Sequence, residues 1–133
     1  MKYAVCIPSR KRSGQLETLK HLNLPKEDIY VFVEAEDFED YFLVHRDNAT
    51  IIPFPLDNIH VGHKRKLIVD YCIENNIEYC IMLDDNIEEF LVRHGTTEKG
   101  YPKLEPLQDF KLLIRDSLTA MEENKLAQMA ISF

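Results

Sequence analysis

Apolar residues along this chain fall into short runs, each cut off by polar or turn-forming residues. KYAVCIP is rich in strand-forming residues and stops at Pro8, which predicts a strand with a turn behind it. In RSGQLETLKHLNLP, Leu16, Leu19 and Leu22 recur at helical spacing, with Ser13 as candidate N-cap and Pro25 as the stop. DIYVFVEAE is a second strand closed by acidic residues. DFEDYFLVHR then places Phe38, Tyr41, Phe42 and His45 on one helical face. ATIIPFP is a short third strand limited by Pro53 and Pro55. Gly62 precedes HKRKLIVDYCIENN, whose Leu67, Ile68, Tyr71 and Cys72 make an apolar helical stripe. IEYCIML is a fourth strand. The pattern beyond it predicts a short helix from Ile87 to Arg93, a polar loop HGTTEKGYPKLEP, and the longest helix in LQDFKLLIRDSLTAMEENK. In that helix Leu107, Phe110, Leu113, Ile114, Leu118 and Met121 point inward, with Pro106 near its start.

Strands that alternate with helices predict an α/β fold, a mostly parallel sheet with helices on both faces. Continuously apolar strands fit burial on both sides. Residues 1–133 are expected to form a single domain, with 45% apolar residues to fill one core. The apolar segment LAQMAISF reads as the start of a last strand, so the expected fold is a truncated one, the first part of a longer architecture.

Composition narrows the function. A formal charge of −7 argues against a protein that coats nucleic acid generally, because phosphate neutralisation needs a basic surface. The start MKYAVCIPSR is too briefly apolar for a signal peptide, and the sequence holds no membrane-length apolar run, so a cytoplasmic protein without a membrane partner is expected. Cys6, Cys72 and Cys80 have apolar neighbours and no C-x-x-C spacing, which favours buried reduced thiols over zinc ligands.

The polar residues collect where the predicted strands end, which is where open α/β sheets bind ligands. Pro8, Ser9, Arg10, Lys11 and Arg12 follow the first strand, and Glu34 and Glu36 close the second. Gly62, His63, Lys64 and Arg65 lead into a helix, and Asp84, Asp85 and Asn86 end the fourth strand. Cations and helix N-termini opposite carboxylates suit a diphosphate that carries a divalent metal, the carboxylates holding a hard, oxygen-seeking ion. The Asp84–Asn86 triplet has a second reading, a turn in which Asn86 caps the following helix and Glu89 closes a capping box. Two adjacent carboxylates exceed what capping requires, because they repel each other without a cation between them.

In order, AVCIPSRKR, VFVEAE and GHKRKLIVDYCIENNIEYCIMLDDN resemble the nucleotide-binding half of GT-A glycosyltransferases, the last ending in a DxD-like motif. The run IPSRKR…VEAEDFEDY…KRKLIVDYC…IMLDDNIEEF is especially similar to the TET-associated glycosyltransferases of bacteriophages. The resemblance spans about residues 3–93, with the later helix and strand fitting the next part of that fold. It implies a glycosyltransferase that binds a nucleotide-diphosphate sugar with Mn2+ or Mg2+ and moves the sugar to an acceptor hydroxyl, a modified DNA base among the candidates. If phage-encoded, the protein would work in the host cytoplasm.

Residue by residue, the resemblance implies that Pro8, Ser9 and Arg10 border the nucleotide and that Glu34 meets its base or ribose. Lys64 and Arg65 would approach the base or diphosphate, and Asp84 the ribose or a metal-bound water. Asp85 and Asn86 occupy the middle and last motif positions, with Asp84, Asp85 and Asn86 as the metal set. Asn86 stands where the pattern usually has a metal-binding Asp, which predicts weaker metal affinity. The acceptor-binding half of the family is largely missing after Phe133. Two rival readings remain: an inactive or truncated nucleotide-sugar-binding module, and a Toprim-like metal-dependent phosphoryl-transfer domain using Glu34, Asp84 and Asn86.

Overall fold

Tyr3–Ser9 form β1, the strand that organises the computed structural model, which describes residues 2–55, 59–107 and 109–126. β1 is flanked on one side by β2 (Ile29–Val33), Val5 lying opposite Ile29, and on the other by β4 (Tyr79–Met82), Tyr3 lying opposite Tyr79. β3 (Thr50–Pro53) pairs with β2, giving one four-stranded parallel sheet in the order β3-β2-β1-β4. The chain thus steps one way from β1 to β3, then crosses back over the sheet to β4. Right-handed crossovers of opposite direction place their helices on opposite faces.

That is how the residues sort. Ala4 and Cys6 of β1 and Phe32 of β2 pack with Ile68 and Cys72 of α3 (Val61–Glu74) in one apolar cluster. The alternate residues Val5, Ile7, Val31 and Val33 are buried on the opposite face, as are Leu22 of α1 (Leu19–Leu22) and Tyr41 of α2 (Phe38–His45). Strands with both faces covered need no polar side, which is why their sequences read as unbroken apolar runs.

Contacts divide the chain into two units, Met1–Phe90 and Leu91–Phe133. The sheet and α1 to α3 make up the first. The second contains β5 (Leu91–Thr96) and β6 (Pro102–Pro106), paired antiparallel, and α4 (Phe110–Glu123). Asp109 caps α4 by accepting the Leu112 N–H at 3.0 Å, and Phe110, Ile114 and Leu118 are its buried stripe.

Four expectations change. The segment 13–24 is not one helix: Ser13–Gln15 form a 3-10 turn and only Leu19–Leu22 are α-helical, so Ser13 caps nothing. The Thr18 N–H donates to the Asp85 carbonyl instead of joining a helical ladder. The helix expected from Ile87 to Arg93 is absent, because the Ile87 N–H is held by Thr18 Oγ1 at 2.9 Å and Leu91 already opens β5. The polar loop after it is a hairpin, turned at Gly100 with φ +84°. Prolines argue against strands in a sheet interior, and a two-stranded ribbon has none. The basic residues after Gly62, expected to lead into a helix, already lie within the first two turns of α3. The expected last strand falls on residues 127–133, outside the described residues.

Ile68 has no exposure and sits at the centre of the α3 cluster, whereas Ile73 on the same helix is 68% exposed. Ile68→Ala should therefore cost about 2–5 kcal/mol in urea denaturation, while Ile73→Ala should stay within about 0.5 kcal/mol.

Candidate functional site

The carboxyl ends of β1, β2 and β4 form one rim, and buried hydrogen bonds set its shape. β1 ends at Ser9, whose Oγ donates to Asp85 Oδ2 at 2.7 Å. Ser9 has one hydroxyl proton, so the 2.6 Å contact with Tyr41 runs the other way, the phenol donating to Ser9 Oγ. The phenol oxygen in turn accepts the Arg12 N–H at 2.8 Å. A single directed chain therefore runs Arg12, Tyr41, Ser9, Asp85, and it joins the loop after β1 to α2 and to the acidic turn after β4. The Arg12 guanidinium closes the circuit, 3.7 Å from Asp85 Oδ1.

Lys11 takes a left-handed backbone conformation, φ 52°, which non-glycine residues adopt at a cost. In that pose its N–H donates to Oδ2 of Asp37 at 3.0 Å, an accepting carboxylate that is itself buried.

The acidic turn is fixed from below by Thr18, which has no exposure. Its hydroxyl donates to the Asp84 carbonyl and accepts the Ile87 N–H, and its own N–H reaches the Asp85 carbonyl at 3.4 Å. One buried threonine thus holds the backbone on both sides of the turn. Asp84 and Asn86 remain exposed, while Asp85 is turned inward. Asn86 caps no helix, since none follows it.

Glu34, at the end of β2, is wholly buried. Lys64 Nζ lies 3.3 Å from one of its carboxylate oxygens and Arg10 Nε 3.5 Å from the other. Arg10 also approaches Glu36 at 3.9 Å, and Lys64 sits over the Phe54 ring. Lys64 comes from the first turn of α3, which His60 caps by accepting the Gly62 N–H at 3.1 Å.

Of the residues singled out in the sequence, Ser9 and Asp85 are thus bonded directly, and Arg10, Glu34 and Lys64 form one ion cluster. Pro8 is half-buried within β1, and Arg65 is exposed on α3. Glu34 presents no oxygen to solvent and serves to hold two cations in place. Sequence reasoning passed over Thr18 and Tyr41. Tyr41 was legible only as part of an apolar helical face, and no local pattern marks Thr18.

Residues 3–132 match the model of the TET-associated glycosyltransferase family. The chain belongs to this family. Membership makes it one of a family of enzymes that transfer sugars, and so implies a sugar donor. No curated protein and no solved structure matches the chain. Among the described residues of this TET-associated glycosyltransferase, no helix is long and apolar enough to cross a membrane.

Tyr41→Phe keeps the ring in place but removes the acceptor of the Arg12 N–H and the donor to Ser9. It should cost about 1–3 kcal/mol in urea denaturation. Burial holds the Tyr41 phenol above its ordinary value of 10.0, opposed by the bond it accepts from the Arg12 N–H and reinforced by the Asp85 and Asp37 charges. The folded state therefore keeps this proton more tightly than the unfolded chain. Its contribution is complete below pH 10.0 and is lost as the pH rises above it. Stability of the parent should fall with pH in that alkaline range, and more shallowly in Tyr41→Phe.

Proposed function

We propose that this chain binds a nucleotide-diphosphate sugar at the carboxyl rim of its parallel sheet and transfers the sugar to an acceptor hydroxyl. The observation that carries this reading is the meeting of Arg10 and Lys64 on Glu34, at the same rim where Ser9 and Arg12 meet Asp85. Cations from two distant segments are thereby held beside an acidic turn, at the point where strand order reverses around β1. Open α/β sheets bind nucleotides at such reversals. The family name favours a hydroxymethylated pyrimidine in DNA as the acceptor.

The chemistry follows from charge. The acceptor oxygen bonds to the anomeric carbon as the bond from that carbon to the diphosphate breaks, the hydroxyl proton passes to solvent, and negative charge grows on the leaving group. Arg10, Arg12 and Lys64 supply fixed positive charge there without reorganising at the moment of reaction. Their three charges are balanced by Glu34, Glu36 and Asp85, so the charge of a diphosphate would call for a further cation at the site.

The residues fit such an ion. Among the described residues no three carboxylates gather at the rim. Mg2+ and Mn2+, however, are commonly held by one or two carboxylates plus substrate phosphates. Asp84 and Asn86 offer exposed oxygens, with Asp85, already engaged by Ser9 and Arg12, behind them. A bound ion would supply charge stabilisation to the departing diphosphate.

Thermal-shift measurements with nucleotide sugars, with and without Mn2+, test the reading. The melting midpoint should rise when both are present, and Asp84→Ala should abolish the rise while leaving the fold intact. Unchanged nucleotide affinity in folded Asp84→Ala protein would remove the site assignment. Asn86→Asp adds a charge to a hard-cation site and should tighten Mn2+ binding in calorimetry. Arg65→Glu, at an exposed position near the start of α3, should weaken nucleotide-sugar binding in a salt-sensitive way, and Lys103→Glu should leave it unchanged. Equal effects of the two reversals would mean that α3 does not face the donor.

A further inference from the structure

Away from the rim, three sulfur atoms converge in the core beneath α3. Cys6 comes from the middle of β1, Cys72 from the last turn of α3 and Cys80 from β4. Cys6 Sγ lies 3.9 Å from Cys72 Sγ and 3.8 Å from Cys80 Sγ, and all three sulfurs lie within 4.8 Å of one another. Ala4, Phe32, Ile68 and Ile77 belong to the same apolar cluster. All three cysteines are free thiols. We propose that Cys6, Cys72 and Cys80 form a three-sulfur binding site for a soft monovalent ion, Cu(I).

Geometry is the first argument. A trigonal ion with metal–sulfur bonds of about 2.3 Å holds its ligands about 4 Å apart, close to the spacing present. A disulfide would instead require two sulfurs to close to about 2.05 Å and leave the third unused.

Ligand type is the second argument. Thiolates select soft ions, and Mg2+ or Ca2+ would require oxygen. Zinc sites are tetrahedral, and among the described residues no His, Asp or Glu joins the group to supply a fourth position.

Burial is the third argument. The sulfurs lie in an apolar cluster, and a monovalent ion brings the least charge into such a core. Binding forms copper–sulfur bonds, each thiol that ligates as thiolate gives its proton to the buffer, and no electron is transferred. Entry is through Cys80, which is partly exposed on β4. Ligation would tie α3 to two strands at once, on the same helix that delivers Lys64 to Glu34.

An anaerobic titration of the reduced full chain with Cu(I), supplied as its acetonitrile complex against a chromogenic Cu(I) chelator, tests the site. The expected result is one ion per chain, a sulfur-to-copper charge-transfer band in the ultraviolet and a higher melting midpoint. Cys80→Ser, at the most accessible ligand, should keep its far-UV circular dichroism and bind at least tenfold more weakly. Parent-like affinity in that variant would overturn the proposal. Should the variant fail to fold, X-ray absorption of the loaded parent decides. Three sulfurs at about 2.3 Å support the site, and a two-sulfur or mixed oxygen and nitrogen shell overturns it. Equally tight binding of Zn2+ would also overturn the assignment to a monovalent ion.

Discussion

A carboxylate with no access to water is stable as an anion only if fixed cations replace its hydration. Glu34 is in that position, and the architecture of the rim follows from its needs. Its burial at the end of β2 draws Arg10 across from the neighbouring strand and Lys64 down from α3. Without that demand, Lys64 would extend into solvent and the loop after β1 would lose one of its anchors. The ion cluster does not need to add net stability to matter. Its effect is to fix where two cations stand, one nearly buried and one half exposed.

The second set of constraints is neutral and works at shorter range. The chain from Arg12 through Tyr41 and Ser9 to Asp85 has one permitted direction, because each hydroxyl has a single proton to give. Thr18 completes it by holding the backbone on both sides of the acidic turn. The rim is therefore preorganised by hydrogen bonds that are wholly or partly shielded from water. The side chains of Asp84 and Asn86, which no such bond occupies among the described residues, are the groups left facing outward.

The four strands and the helix α3 could be read from the chain because each is a continuous local pattern of apolar residues bounded by proline, glycine or charge. The acidic and basic segments of the rim were legible for the same reason, since they interrupt those patterns abruptly. Their pairing was less so. That Lys64 rather than Arg65 reaches Glu34 depends on helix phase and on where α3 begins, and the register alone does not show either. Thr18 defeated the local reading twice. By bonding to residues 66 and 69 positions away it broke the expected helix on its own side and prevented another beyond the turn. The three cysteines carried no spacing signal because their meeting depends on the crossover from β3 to β4. The hairpin of β5 and β6 was hidden by its prolines, which a ribbon made only of edges accommodates.

The order of strands in the sheet also has a kinetic side. β1 and β2 meet after a short excursion of the chain, Val5 against Ile29, whereas β1 and β4 close a loop about three times longer, Tyr3 against Tyr79. The longer closure costs about 1 kcal/mol more in chain entropy, before the packing of α3 offsets it. Non-local pairings of this kind are the slow part of forming a sheet. Two of the bonds that shape the rim, Ser9 to Asp85 and Thr18 to Asp84, lie across that late closure. The acidic side of the rim is thus expected to be among the last parts of the unit to become native, and a ligand that recognises it only once formed would slow its opening rather than speed its assembly.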